Sequence, residues 1–226
     1  MNFNIFLITS CLIPPTSQLY GHTRSVYTYD ERVNQTKNTI KTIREKVPNS
    51  LCVIIELSAL DDEKKNNVKQ MCDHYIDLSN DEMAQYYMEH NKSIGDLYST
   101  LQGLLYVLKE NINFDILFKI SGRYFIDDNF KFDMFDVNQI TFNKTKFDLP
   151  NYAVTQFYTV LYAIGYNMRY IFLQSLLDAY FLLHHGRIGN IEMAMYYVLD
   201  GKKNVQTVEK IGASGTISLT GEFVST

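Results

Sequence analysis

Cysteine is scarce in this chain of 226 residues, and its three copies, Cys11, Cys52 and Cys72, stand apart without Cys-x-x-Cys spacing. That excludes a zinc site or a disulfide framework as the organising feature, and a reduced, cytoplasmic setting is expected. Positive charge is also short. The 21 Lys and Arg face 25 Asp and Glu, leaving a net charge of −4, which argues against a general nucleic-acid binder with its basic face. No run approaches the ~18 apolar residues of a membrane-spanning helix. The opening stretch, MNFNIFLITSCLIPP, lacks a positively charged start, and Thr9 and Ser10 interrupt its apolar run. A first core strand over residues 4–10 is expected there rather than a secretory leader. No GxxxxGK[ST] loop, GxGxxG turn or GxSxG elbow is present, which weighs against P-loop enzymes, dinucleotide binders and Ser-His-Asp hydrolases. Internal repeats, low-complexity tracts and long linkers are missing as well.

What is present is core. Hydrophobic residues make up 46 % of the chain and charged residues 20 %, enough for a packed domain at this length. The aromatic mass lies in 17 Tyr and 14 Phe, with no Trp. Tyrosines suit stacking on bases and sugars, although core packing is their commoner use.

The order of elements carries the next information. A polar loop over residues 14–29 follows the first strand and holds Arg24 and Ser25. Asp30 is a suitable N-cap for a helix over 31–46, with Val33, Ile40, Ile43 and Val47 on its apolar side. Pro48-Asn49-Ser50 stops it. The continuous apolar run 51–57 reads as a buried parallel strand. Asp61 or Asp62 opens a charged helix ending near Cys72, and residues 74–78 form a short third strand. Ser79-Asn80-Asp81 caps a helix through Glu89. Residues 91–96 read as a loop before an amphipathic helix over 97–109, and a fourth strand follows. Such alternation predicts a doubly wound, mostly parallel sheet with right-handed crossovers. The second half is less regular. Strands are expected near 139–144, 154–160, 205–211 and 216–219, and helices over 168–184 and 190–199. One domain is expected, with residues 1–130 as a nucleotide-binding half and 131–226 as a substrate half.

The most informative stretch is 114–128, FDILFKISGRYFIDD. It opens as a buried strand and ends in a turn with Lys119, Ser121, Gly122, Arg123 and Tyr124. An α/β protein holds a phosphate with such a turn at the carboxyl edge of its sheet. Glycine admits a close ligand, Arg offers a fork of donors, and Lys adds a point charge. The alternative is a core strand whose cations emerge into water.

These segments together resemble nucleotide-sugar glycosyltransferases of the GT-A type. More narrowly, the chain is similar to small bacterial and viral glycosyltransferase-like proteins with a KxSGRY or KxTGRY strand end. KISGRY and ERVNQTKNTIKTIR are the most specific pieces; VIIELSAL, NKSIGDLYSTLQGLLYVL, IGNIEMAMYYVL and IGASGTISLTGEF extend the likeness over nearly the whole chain. The resemblance implies a GT-A-like α/β fold: a mostly parallel, mixed central sheet with helices on both faces. It further implies a nucleotide-sugar donor, such as a UDP- or GDP-sugar, and a glycan acceptor. One departure matters. Most GT-A enzymes carry Asp-x-Asp after the strand, holding a divalent metal on the donor diphosphate; this chain reads Ser121-Gly122-Arg123 there. Either Lys119 and Arg123 replace the metal's charge, or Asp127 and Asp128 hold Mn or Mg. Asp-Asp-Asn is equally a plain turn or cap.

Further candidates follow from position. Arg24, in the loop after the first strand, is placed to meet a nucleobase or diphosphate, or is a solvated loop cation. Arg32 and Gln35 lie one helical turn apart and share a face. Glu56 ends a buried strand, where a carboxylate is costly unless used; acidic residues at such ends bind ribose hydroxyls. Lys92, Ser93 and Gly95 precede a helix, where free N–H groups favour anions. A base for the acceptor hydroxyl is sought in Glu192, then Asp178, His184 and His185, with Asp133, Asp136 and Asp148 open. A helix acid at an N-terminus and histidines at a C-terminus are also ordinary dipole partners. Tyr152, Phe157, Tyr158 and Tyr162 form an aromatic wall for the acceptor or simply pack. Oligomeric state is left open.

Overall fold

The structure is a computed structural model that describes residues 3–18, 21, 23–47, 49–149 and 152–226, leaving aside the side chains of 147–149 and 152–153. Four strands, β1 (Phe3–Ser10), β2 (Ser50–Glu56), β3 (His74–Asp77) and β4 (Phe114–Ser121), run parallel. They are joined through α1 (Tyr29–Lys46), α2 (Asp62–Lys69), α3 (Glu82–His90) and α4 (Lys92–Lys109). A short strand β5 (Tyr124–Ile126) then leaves the sheet. β6 (Ile140–Leu149), β7 (Tyr152–Gly165) and β8 (Val205–Val208) return to it, giving the order β3-β2-β1-β4-β7-β6-β8. Only β7 opposes its neighbours, so the sheet is mixed but mostly parallel, as expected. α5 (Arg169–His184) and α6 (Ile191–Leu199) follow β7. β9 (Ala213–Thr216) and β10 (Phe223–Ser225) close a second small sheet with β5.

Strand alternation divides the core into two layers. Ile5 and Leu7 of β1 face α3, α4, α5 and α6, while Phe6 and Ile8 face α1, α2 and the small sheet. All four are fully buried, which explains why β1 reads as an unbroken apolar run. Among the described residues no helix is long and apolar enough to cross a membrane.

Several boundaries differ from expectation. The first helix begins at Tyr29, capped by Thr28 rather than Asp30: the Thr28 hydroxyl accepts from Glu31 N, and Glu31 reaches back to the Thr28 N–H. This reciprocal capping box satisfies two donors at once, which a lone Asp30 cap does not. The helix stops at Lys46, with Val47 as its C-cap and Asn49 in the left-handed region at φ 51; Pro48 lies outside the described residues. α4 starts at Lys92, capped by Asn91, so the expected loop 91–96 is already helix. The strand expected over 216–219 lies earlier, at β9.

A ladder along α1 positions β5. Thr36, Thr39 and Thr42 donate to Gly122 O (3.1 Å) and Tyr124 O (2.6 Å) and accept from Ile126 N (3.1 Å), and Lys46 pairs with Asp128 (2.7 Å). The chain leaving β4 is thereby laid along α1, from the carboxyl edge of the sheet to the opposite edge. Thr39 is fully buried. Thr39→Val leaves the Tyr124 carbonyl short of its donor, and chemical denaturation is expected to show a loss of about 1–3 kcal/mol, with Thr39→Ser closer to the parent.

Candidate active site

The carboxyl ends of β1, β2 and β4 meet the amino ends of α1, α4 and α6, where ligands sit in open α/β sheets. Glu56 forms the floor on one side. It is fully buried, and its Oε1 accepts from Leu12 N (3.0 Å) and Ser58 N (2.8 Å), while Oε2 has no partner. Burial raises its carboxyl above the usual range. Glu56 thus ties together the chains leaving β1 and β2, rather than standing free for a ribose. Beside it the β1–α1 loop encloses a cleft of about 380 Å³ lined by Pro14, Pro15, Ser25, Tyr27 and Tyr29.

The cations divide into anchors and free groups. Arg24 donates to Ser17 O (2.8 Å), Met88 O (2.6 Å) and Glu89 O, pinning its loop to the carboxyl end of α3. Arg32 donates to Cys11 O (2.9 Å), Ser25 (3.2 Å) and Ser218 (2.6 Å), so it binds the protein's own segments. Burial and the nearby Arg123 lower its guanidinium to about 10. Gln35, one turn on, donates to Thr216 (3.3 Å) instead of sharing a ligand face with Arg32. Arg123 differs: its Nε is buried without a partner and its guanidinium lies 5.8 Å over the Tyr124 ring. Lys92 stands exposed at the first turn of α4. Desolvation by the surrounding groups and repulsion from Arg123 lower its ammonium to about 8. Among the described residues neither Lys92 nor Arg123 pairs with a carboxylate. Two cations that repel each other at a helix N-terminus make a site for an anion.

Lys119 is not one of the free groups. Its side chain is fully buried, and its Nζ donates to Asp96 (2.6 Å), Thr159 O (2.9 Å) and Ser121 (3.2 Å). All three ammonium donors are used. Asp96 accepts at its other oxygen from Thr9 (2.8 Å). Thr159 belongs to a bulge in β7: Phe142 pairs with Tyr162 but Asn143 with Tyr158, so residues 159–161 have no partners across β6. The bulge turns the Thr159 carbonyl onto Lys119 and its hydroxyl onto Glu192 Oε1 (2.8 Å). A polar chain therefore links Thr9, Asp96, Lys119, Thr159 and Glu192. Burial raises the Glu192 carboxyl, and the Asp96 charge adds to this. Tyr124 and Tyr158 lie in the same electrostatic neighbourhood as Arg123 and Glu192.

The remaining expectations fall elsewhere. Gly122 donates to Thr9 O, and a Cβ on it would meet Thr36 Oγ1 at 3.1 Å, so its smallness seats α1. Ser93 and Gly95 lie inside α4 rather than in a loop. Asp178 and His185 are exposed on the outward side of α5, bonded to Gln174 (2.9 Å) and Phe181 O (2.9 Å). His184 is held by Tyr87 (3.2 Å). Asp133 and Asp136 are exposed in the segment that enters β6 from the far edge. Phe157 and Tyr162 are core, stacked and tilted on Phe142 at 4.6 and 4.7 Å. The side chains of Asp148 and Tyr152 lie outside the described residues.

The metal expectation at Asp127 and Asp128 is corrected by the α1 ladder. Asp128 pairs with Lys46, fourteen residues and about 21 Å along the helix from Arg32. Asp127 accepts from Asn129 N (2.8 Å), Ser214 (2.5 Å) and Ser225 (3.2 Å). Both stand at the wrong edge of the sheet for a donor diphosphate. At the right edge, Lys92 and Arg123 repel a divalent cation, and both Asp96 oxygens are taken. Among the described residues no three His, Cys, Asp or Glu gather in a metal-holding group. The described side chains at this edge do not fit a catalytic metal.

Asp96, Thr9, Thr159 and Ser218 were missed from the sequence. Asp96 sat in a segment read as loop, and Thr159 owes its role to a bulge with no local signal.

Two variants test this geometry. Lys119→Met removes the ion-pair partner of Asp96, with an expected cost of about 3 kcal/mol by denaturation, since Asp96 keeps some access to water. Glu56 binds its proton more tightly folded than unfolded, so its contribution is full below its ordinary 4.5 and is lost as the pH rises through the raised value. Glu56→Gln keeps the acceptor for Leu12 and Ser58; its stability is expected to change less than the parent's between pH 4.5 and neutrality.

No known protein-family profile and no curated protein sequence matches the chain. Solved structures do. The 4-diphosphocytidyl-2C-methyl-D-erythritol synthase from Anaerococcus prevotii superposes with a TM-score of 0.51 at 12 % identity, over 98 % of this chain and 92 % of that one. CTP:phosphocholine cytidylyltransferase (LicC) from Streptococcus pneumoniae gives 0.50 at 12 %, over 96 % and 94 %. The glycosyltransferase GlyE of S. pneumoniae gives 0.51 at 11 %, over 92 % of this chain but 46 % of that one, so the chain spans about half its length. The chain has the α/β fold shared by these nucleotidyl- and glycosyltransferases.

Proposed function

We propose that this protein transfers a sugar from a nucleoside-diphosphate sugar to a hydroxyl acceptor such as a glycan, with protein cations in place of a metal. The observation that carries the reading is the convergence of Lys92 and Arg123, both without carboxylate partners, at the amino end of α4 and the end of β4. Their role is to hold the diphosphate and to stabilise its charge as it leaves. Arg32 adds positive potential while anchored to Cys11 and Ser218. The cleft beside Glu56 takes the nucleoside. Glu192, held by Thr159, takes the proton of the acceptor hydroxyl, and burial raises its carboxyl, which makes it a stronger base than an exposed glutamate.

Nucleotidyl transfer is the second reading, because the cytidylyltransferase LicC and the diphosphocytidyl-methylerythritol synthase match over nearly their whole lengths. The same cations would then hold a triphosphate. A non-catalytic nucleotide- or sugar-binding role is the third, since Asp-x-Asp is missing.

A thermal-shift panel of nucleoside diphosphates, triphosphates and nucleotide sugars separates them. At a hundredfold excess over Kd, binding adds about 2.7 kcal/mol, or about 5–10 °C for a chain of this size. Sugar transfer predicts a shift from one diphosphate and its sugar, unchanged in EDTA and lost in Arg123→Ala. A shift from triphosphates alone favours nucleotidyl transfer, and none from any nucleotide sinks both. Lys119→Ala is the wrong probe, since it breaks the buried pair. Glu192→Gln should keep the donor shift but lower kcat about 10²–10⁴-fold. In the parent, activity should fall with acid through a pH above the ordinary 4.5 of a glutamate, because burial holds the Glu192 proton and a base must be free of it. Binding that persists with no turnover on any acceptor would fit the non-catalytic role.

A further inference from the structure

Where β1 and β4 end against the amino-terminal turns of α1 lies a space of about 10 Å³, the room of one water-sized particle. Its walls include Thr9, Thr36, Gly122 and two guanidinium groups, Arg32 and Arg123, but not Lys92. The neutral donors named here are already used. Thr9 donates to Asp96 (2.8 Å), Thr36 to Gly122 O (3.1 Å), and the Gly122 N–H to Thr9 O (3.0 Å). The arginines keep donors in hand. Arg123 Nε is buried without an acceptor. Arg32 gives three N–H groups to Ser25, Cys11 O and Ser218, and a guanidinium has five. Charge is the second observation. Arg32 is only 5 % exposed, and among the described residues neither arginine has a carboxylate within ion-pair distance. Burial, and then Arg123 itself, disfavour the charged form of Arg32. Glu56 acts the other way, but burial favours its neutral form. Two neighbouring cations without a counter-charge are costly so far from water.

We infer that this space is a binding site for one monatomic anion of the halide class, such as chloride, held between Arg32 and Arg123. A phosphate group, with four oxygens about its phosphorus, is too large for it. A water molecule fits the room but brings no charge to the two guanidinium groups. A halide fits the room, accepts from the arginine N–H groups and offsets their repulsion. Bound there, it joins the end of β4 to α1 beneath the Lys92 side of the site. The inference is independent of the catalytic reading, since halide binding is measured with no nucleotide present.

Thermal melting of the full chain in sodium chloride tests it, with sodium gluconate keeping the ionic strength constant. At a tenfold excess over Kd, chloride should raise the melting temperature by about 3–6 °C and then saturate; bromide should do the same. Arg123→Gln should abolish the rise, and the half-buried position of Arg123 leaves that variant able to fold. Lys92→Gln should keep most of the rise, because Lys92 is not in the walls. Crystals soaked in bromide should show an anomalous peak between the two guanidinium groups, a readout that does not depend on any variant. A folded parent with no halide-specific rise and no bromide peak there overturns the inference and leaves the space to water. A rise that inorganic phosphate gives equally, or that Lys92→Gln loses as fully as Arg123→Gln, overturns it too, and assigns the anion to the amino end of α4. Bromide peaks at other places only would mark adventitious ions and count against it.

Discussion

A lysine ammonium with no access to water organises the carboxyl edge of this sheet. An unpaired charge buried there would cost several kcal/mol, so Lys119 is stable only while Asp96, Ser121 and Thr159 remain around it. Those three groups come from α4, the end of β4 and the bulge of β7. Holding them together fixes where the helix N-terminus points, how β4 ends and how Glu192 is met. The ion pair is weak evidence for stability in itself; its effect is to specify a geometry.

The same pair explains how the site differs from the metal-holding pattern. A carboxylate pair at the end of β4 would gather a cation between protein and diphosphate. Here Ser121-Gly122-Arg123 stands at that strand end, Lys119 before it is turned inward, and in the proposed reading Arg123 and Lys92 supply the positive charge. Within that reading arginine suits the task, since its planar fork matches phosphate oxygens. Lys92 is a softer partner, pulled down to about 8 by desolvation and by Arg123. In the proposed reading, the charge of an incoming anion would offset the repulsion between the two cations.

The element order was legible because burial on both faces writes itself into sequence. β1, β2 and β4 read as apolar runs, the helices as amphipathic ones, and the six-of-seven parallel sheet followed. The caps were partly legible: Asp61 and Asp81 act as N-caps, but Asn190, read as helix, is a cap, and the Thr28 box outcompeted Asp30 by satisfying two donors. Arg123 and Lys92 were legible as cations near strand and helix ends. Lys119 was legible as a residue and misread in role, since sequence shows a lysine's charge but not which way it turns.

Composition, periodicity and turn chemistry by themselves determined the α/β fold class and the strand-end turn at Gly122. They did so because those properties are local: each depends on residues within one element. Only the tertiary structure decided which polar groups share a space. Asp127 and Asp128 follow KISGRY closely in sequence, yet the threonine ladder of α1 carries them to the far edge of the sheet. Asp96 and Glu192, far apart along the chain, come within electrostatic reach of one another through Lys119 and the β7 bulge. Charges interact through space rather than along the chain, so the site belongs to the fold.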